Sequence, residues 1–143
     1  MPKPKINFFS DDVAFELKHK NKYKQWLISV ALSEGKAIDE LNYIFCSDEA
    51  LLQINIDFLQ HDTLTDIITF DNSTEKNNIL GEIYISIDRV KENALVFSTS
   101  FDNELRRVLA HGLLHLCGYK DKTEKEQKQM REAEERAISF FPF

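Results

Sequence analysis

His111 and His115 stand four positions apart in the run Leu109-Ala110-His111-Gly112-Leu113-Leu114-His115-Leu116-Cys117-Gly118-Tyr119-Lys120-Asp121. In a helix that offset lays one imidazole almost above the other. Two neutral ring nitrogens converging on one point make a claw for zinc, copper, nickel or iron. A third donor is needed. Gly118 lets the chain leave the helix and fold back, which brings Asp121, six positions after His115, within reach. Two histidines and a carboxylate would leave a bound ion one open position for water, the arrangement that does chemistry rather than only holding a fold. The same spacing also fits a packed or hydrogen-bonded histidine pair. The apolar helical pattern of Leu105, Val108, Leu109, Leu113 and Leu116, and the glycine and acid that follow, tip the balance toward a metal site.

The zinc-protease pattern puts a glutamate immediately after the first histidine as general base. Here that position is Gly112. A glycine between the ligands is expected to leave space above the ion for a bulky phosphodiester, with the base either the metal-bound hydroxide itself or a carboxylate from another element. Cys117 lies two positions from His115 and so on another helix face, where it reads as a core residue rather than a ligand.

Residues 104–121 resemble the signature of the YbeY family of bacterial endoribonucleases, His-Gly-x-Leu-His-Leu-x-Gly-Tyr-Asp-His, at His111, Gly112, Leu114, His115, Leu116, Gly118 and Tyr119. Asn55, Phe58, Asp62, Thr65, Asp66 and Phe70 match a second block of the family pattern. Leu80-Gly81-Glu82-Ile83-Tyr84-Ile85-Ser86 is similar to a third. The likeness spans about residues 40–137. It implies a zincin-like fold, a Zn2+ cofactor, single-stranded rRNA and ribosomal particles as partners, and no DNA partner. Glu82 and Asp66, each at a strand end or polar strand face within a matching block, are candidate catalytic carboxylates beside His111 and His115; the alternative for each is an exposed strand carboxylate or an acceptor orienting a ligand histidine.

The departures from the family pattern include residues that should matter. Asp121 stands where the family has its third histidine, Lys120 where it has an aspartate, Leu59 where it has an arginine and Leu64 where it has a proline. A carboxylate binds zinc as well as an imidazole does, but its charge makes the ion less electron-poor and favours harder ions such as manganese. An arginine is the natural partner of a phosphate oxygen. With Leu59 in its place, His61 is either a partial substitute when protonated or an ordinary loop histidine. The leading expectation is a metal-dependent single-strand endoribonuclease acting in late rRNA maturation and ribosome quality control, with His111, His115 and Asp121 as ligands. The alternatives are a non-catalytic ribosome-assembly factor with a structural metal, and a metal hydrolase of small or peptide substrates.

At 143 residues, with 43% hydrophobic and 29% charged residues, the chain fits one domain over residues 1–143 with a real core. No apolar run is long enough for a membrane span, and the start shows no signal-type segment. A cytoplasmic protein without disulfides is expected from this and from two isolated cysteines. The net charge of −6 argues mildly against RNA binding. Lys18, Lys20, Lys22 and Lys24, and again Lys120, Lys122, Lys125 and Lys128, are local groups able to track phosphates, although such groups are usually a solvated face.

The elements that must position these residues are legible from periodicity. Strands are expected at residues 6–9 (an edge), 38–46, 66–70 and 80–87. Helices are expected at about 13–32, 49–59, 88–97, from 102 or 103 through the histidines, and from Thr123 to about Ile138. Leu52, Ile56 and Leu59 form the expected buried stripe of the second helix. Thr123 and Glu126 form a capping box. Strands mixed with helices in this order give an α+β domain, a sheet of about four strands with the histidine helix packed against it.

Overall fold

The structure is a computed structural model that describes residues 3–59 and 65–142. Strand β1 (Lys5–Ser10) leads through helix α1 (Lys20–Ser33) to β2 (Ala37–Cys46), and α2 (Asp48–Leu59) leads to β3 (Ile67–Asp71). Then follow β4 (Asn78–Ser86), α3 (Ile87–Val96), α4 (Phe101–Leu116) and α5 (Glu124–Ser139). The four strands form one sheet in the order β1-β2-β4-β3. β1 and β2, and β2 and β4, run parallel, while β3 is antiparallel to β4. The expected α+β architecture with a mixed four-stranded sheet is present. β1 is an edge strand, as expected.

Alternation along β2 and β4 puts Leu41, Tyr43 and Phe45, and Ile79, Ile83 and Ile85, on one face. There they pack with Trp26 and Leu27 of α1, Leu105, Leu109 and Leu113 of α4, and Met130 and Ala133 of α5. Each buried leucine, isoleucine, phenylalanine or methionine among them contributes about 1.5–3 kcal/mol by leaving water. Two buried polar groups tie the layers together. Tyr43 donates its hydroxyl to the Leu109 carbonyl at 2.9 Å, and the Trp26 indole donates to the Ala137 carbonyl at 2.6 Å. On the other face α2 covers a smaller cluster of Cys46, Leu51 and Ile68. Among the described residues no helix is long and apolar enough to cross a membrane.

Two expectations need correction. The helix expected from about Val13 begins only at Lys20, with His19 at φ 58° before it. Val13, Phe15 and Leu17 instead lie in a non-helical segment packed against the core, and their spacing of two is that of extended chain. In α2 the buried residues are Leu51 and Asn55, whereas Ile56 and Leu59 are 41% and 45% exposed. The helix is turned by one residue, about 100°, because Leu51 fills the gap beside Cys46 and Ile68. His61, Asp62 and Leu64 lie outside the described residues.

Candidate metal centre

Helix α4 is capped by Ser100, whose hydroxyl accepts from the Asn103 amide, and ends in a turn built on Gly118. The Gly118 amide donates to the His115 carbonyl and the Tyr119 amide to the Leu114 carbonyl, both at 3.0 Å. With Gly118 at φ 110°, these bonds make a Schellman turn, which favours glycine at that position. The turn does two things for the site. It presents the Tyr119 carbonyl to His115 Nδ1 at 3.0 Å, and it returns the chain so that Asp121 faces both histidines.

His111 Nδ1 faces Oε2 of Glu134, from α5, at 2.6 Å. A carboxylate and a carbonyl can only accept, so each Nδ1 carries the ring hydrogen and each Nε2 turns a lone pair inward. The two Nε2 atoms are 3.1 Å apart. Asp121 Oδ2 lies 3.2 Å from that of His115 and 3.3 Å from that of His111. With both Nε2 atoms unprotonated, three acceptor atoms face one another, an arrangement that a cation stabilises. The spacing fits an ion as well: ligands about 2.0–2.1 Å from a tetrahedral centre stand about 3.3–3.4 Å apart. Among the described residues this is the one group of three or more histidine, cysteine or acidic side chains arranged to hold an ion.

Behind the histidines runs a buried charge chain. Glu134 is 5% exposed and Glu104 2%, and Arg107 lies between them. Its Nη2 and Nε donate to the Glu104 carboxylate at 2.6 and 3.0 Å, and its Nη1 donates to Glu134 at 3.4 Å. The Glu104 hydrogen bonds, followed by the charges of Glu104, Glu134 and Asp66, raise the pKa of the guanidinium above its usual value. Cys117 packs against the core beside this helix, and burial pushes its thiol up to about 12.

The donors form one wall of an open cleft of about 790 Å³. Asn55 and Leu59 of α2, Asp66 and β3 form the facing walls, with Lys122 at the rim of the loop after α4. Asp66 therefore shares the cleft with His111, His115 and Asp121, and its Oδ2 is 3.8 Å from Arg107 Nη2. The structure does not bring Glu82 to them. Glu82 alternates with Ile83, which lies under Gly112 of α4, so Glu82 points to the other face of the sheet, where its carboxylate accepts from the Tyr84 hydroxyl at 3.4 Å. Gly112 also differs from expectation. A Cβ there would meet Ile67 and Ile83 at 2.9 Å, so its smallness lets α4 approach the sheet and opens no space above an ion.

A family model described as endoribonuclease YbeY matches residues 5–141. The chain belongs to the YbeY family. It is 54% identical over 143 residues to the Endoribonuclease YbeY of Cytophaga hutchinsonii, covering 100% of both chains. To the protein of the same name from Christiangramia forsetii it is 52% identical over 141 residues, 99% of this chain and 97% of the relative. The solution structure of TM1509 from Thermotoga maritima superposes with a TM-score of 0.66 at 28% identity, covering 95% of this chain and 88% of that one. The four-residue spacing of the histidines and the turn at Gly118 make the three converging donors legible in the sequence, whereas Glu134 and Arg107 are not singled out by it. Arg107 sits four residues before His111, on the same face of α4, which was the available signal. Glu134 gave none, since it is one of several glutamates in an acidic helix.

Proposed function

We propose that the chain is a metal-dependent single-strand endoribonuclease acting in late rRNA maturation and ribosome quality control, a single cytoplasmic hydrolase domain over residues 1–143. The observation that carries this reading is the convergence of His111, His115 and Asp121 on one point in the wall of an open cleft. The names of the relatives, Endoribonuclease YbeY, support the substrate class. His111, His115 and Asp121 hold a Zn2+ ion. When bound, the ion supplies Lewis acidity to a phosphodiester and makes water a better nucleophile near neutral pH.

The chain's own groups do the rest. Glu134 and the Tyr119 carbonyl keep both imidazoles in the tautomer that offers Nε2. Asp66, which lines the same cleft, takes a proton from the attacking water. Selection for single strands comes from unpaired nucleotides entering the cleft rather than from the grooves of a duplex. A peptide hydrolase is disfavoured because position 112, where a zinc protease carries its glutamate, is a glycine turned into the sheet.

The test combines metal analysis of untagged protein with cleavage of a single-stranded rRNA fragment, with and without chelator and alongside a peptide panel. Wild type is expected to carry about one zinc per chain and to cut RNA only when metal is present. His111→Ala is expected to lose both. Zinc retained by that variant, or RNA cleavage that survives chelation, removes the assignment.

A further inference from the structure

The three donors separate two hollows. On one side is the cleft, with Lys122 among its lining residues. On the other, between α4 and α5, His111 and Asp121 also line a smaller hollow of about 280 Å³ whose remaining walls include Gln127, Met130 and Arg131. We propose that Lys122 and Arg131 are this chain's RNA-phosphate contacts, one on each side of the metal centre, so that a single strand crosses the donors from cleft to hollow.

This rests on the reading of the site as one that cleaves RNA. The reasoning begins with charge. The chain carries −6 overall, and Asp66, Asp71 and Asp121 all line the cleft, so a polyanion approaching the donors needs compensating cations close to them. Arg107 lines the smaller hollow but is already held by Glu104, Glu134 and Asp66. Turning it to a phosphate would leave two buried carboxylates uncompensated. Leu59, across the cleft, brings no charge.

Lys122 and Arg131 differ from Arg107 in both respects. Each is exposed, and among the described residues neither cationic head is held by a hydrogen bond or an ion pair. Their positions are set by the site itself. Lys122 follows the ligand Asp121 directly, and its place is fixed by the turn that brings Asp121 back. Arg131 lies on α5 three residues before Glu134 and four after Gln127, so the three share one helix face, and Glu134 anchors that face to His111. A strand contacting both cations therefore passes over the donors, which places one phosphodiester at the reacting position and its neighbours on either side.

The experiment is titration of zinc-loaded, full-length protein into a short labelled single-stranded oligoribonucleotide in the cold. It is followed by fluorescence anisotropy over a range of KCl, with the RNA checked for integrity by gel. Lys122→Ala and Arg131→Ala are each expected to weaken binding about five- to tenfold near 0.1 M salt. Each should also flatten the dependence of log Kd on log salt by about 0.7, and the double variant by about 1.4. Lys122→Arg and Arg131→Lys should retain most of the affinity. Lys91→Ala, at an exposed position of α3, should leave affinity and slope unchanged, and zinc content and melting temperature report that every variant is folded. If wild type binds RNA and the two alanine variants match it in affinity and slope, the two-sided clamp is wrong while the nuclease reading stands. If wild type neither binds nor cuts RNA, both fall together.

Discussion

Glu134 reaches His111 from 23 residues further along the chain, and its energetic position is unusual. A carboxylate that is 5% exposed is retained because it has two partners, the His111 Nδ1 hydrogen and the Arg107 guanidinium, without which burial of the charge would cost several kcal/mol. Its role in the site is to fix one imidazole's tautomer and orientation. Outer-shell partners of this kind are worth about 10–100-fold in metal affinity. Glu134→Ala is therefore expected to lower zinc affinity by about that factor in competition with a chromophoric chelator. Glu134→Gln, whose amide oxygen can still accept from Nδ1, should lose much less. Equal affinities for wild type and Glu134→Ala would show that the imidazole needs no such partner. At this scale the sequence was legible where spacing was local: four residues between the histidines, six from His115 to Asp121. A contact between two helices leaves no such trace. Glu134 stands between Glu132 and Glu135, exposed neighbours that differ from it only in which way the helix turns them.

The histidine turn sits where it does because two elements present glycines to each other. Gly112 on α4 lies against Ile67 and Ile83. Gly81 on β4 lies under Leu116, where an added Cβ would come within 2.8 Å of the Phe70 carbonyl oxygen and 3.0 Å of Leu116 Cδ1. Isoleucine side-chain ends can shift, but a backbone carbonyl in a paired strand cannot do so without breaking the β3–β4 ladder. Gly81→Ala is therefore the more damaging of the two substitutions. It is expected to destabilise by about 1–3 kcal/mol in chemical denaturation and to lower zinc affinity by displacing the end of α4. A melt and a zinc titration indistinguishable from wild type would mean that this approach is looser than it looks. The strands themselves were readable from alternation, as were the capping box of Thr123 and Glu126 and the Gly118 turn, because each is written in adjacent residues. Two elements misled for a physical reason. Leu17 is buried, and Val13 and Phe15 are partly buried, from a segment that is not helical. In α2 the more apolar stripe is not the buried one, because one leucine and an asparagine amide face inward instead.

The whole molecule separates stability from chemistry. Its core runs from Ile6 on β1 through Trp26, Tyr43 and Ile83 to Ala137 on α5, and none of those contacts passes through the three donors. The donors occupy the cleft wall at the C-terminal end of α4, held by its closing turn and by Glu134. A metal-free chain should therefore keep its fold. An ion held by the three donors would bind only the folded state, so zinc should stabilise by mass action. At free zinc a thousandfold above Kd the gain is about 4 kcal/mol, a rise in Tm on the order of ten degrees for a chain of this size. The expected record is a cooperative melt in chelator, a markedly higher Tm with zinc, and no zinc response in His111→Ala. A chelated protein with no cooperative transition would instead make the ion part of the scaffold, as in small zinc domains that are unfolded without metal. The separate apolar core argues against that outcome, because it holds α4 to the sheet through Leu105, Leu109 and Leu113 whether or not an ion lies beyond the helix end.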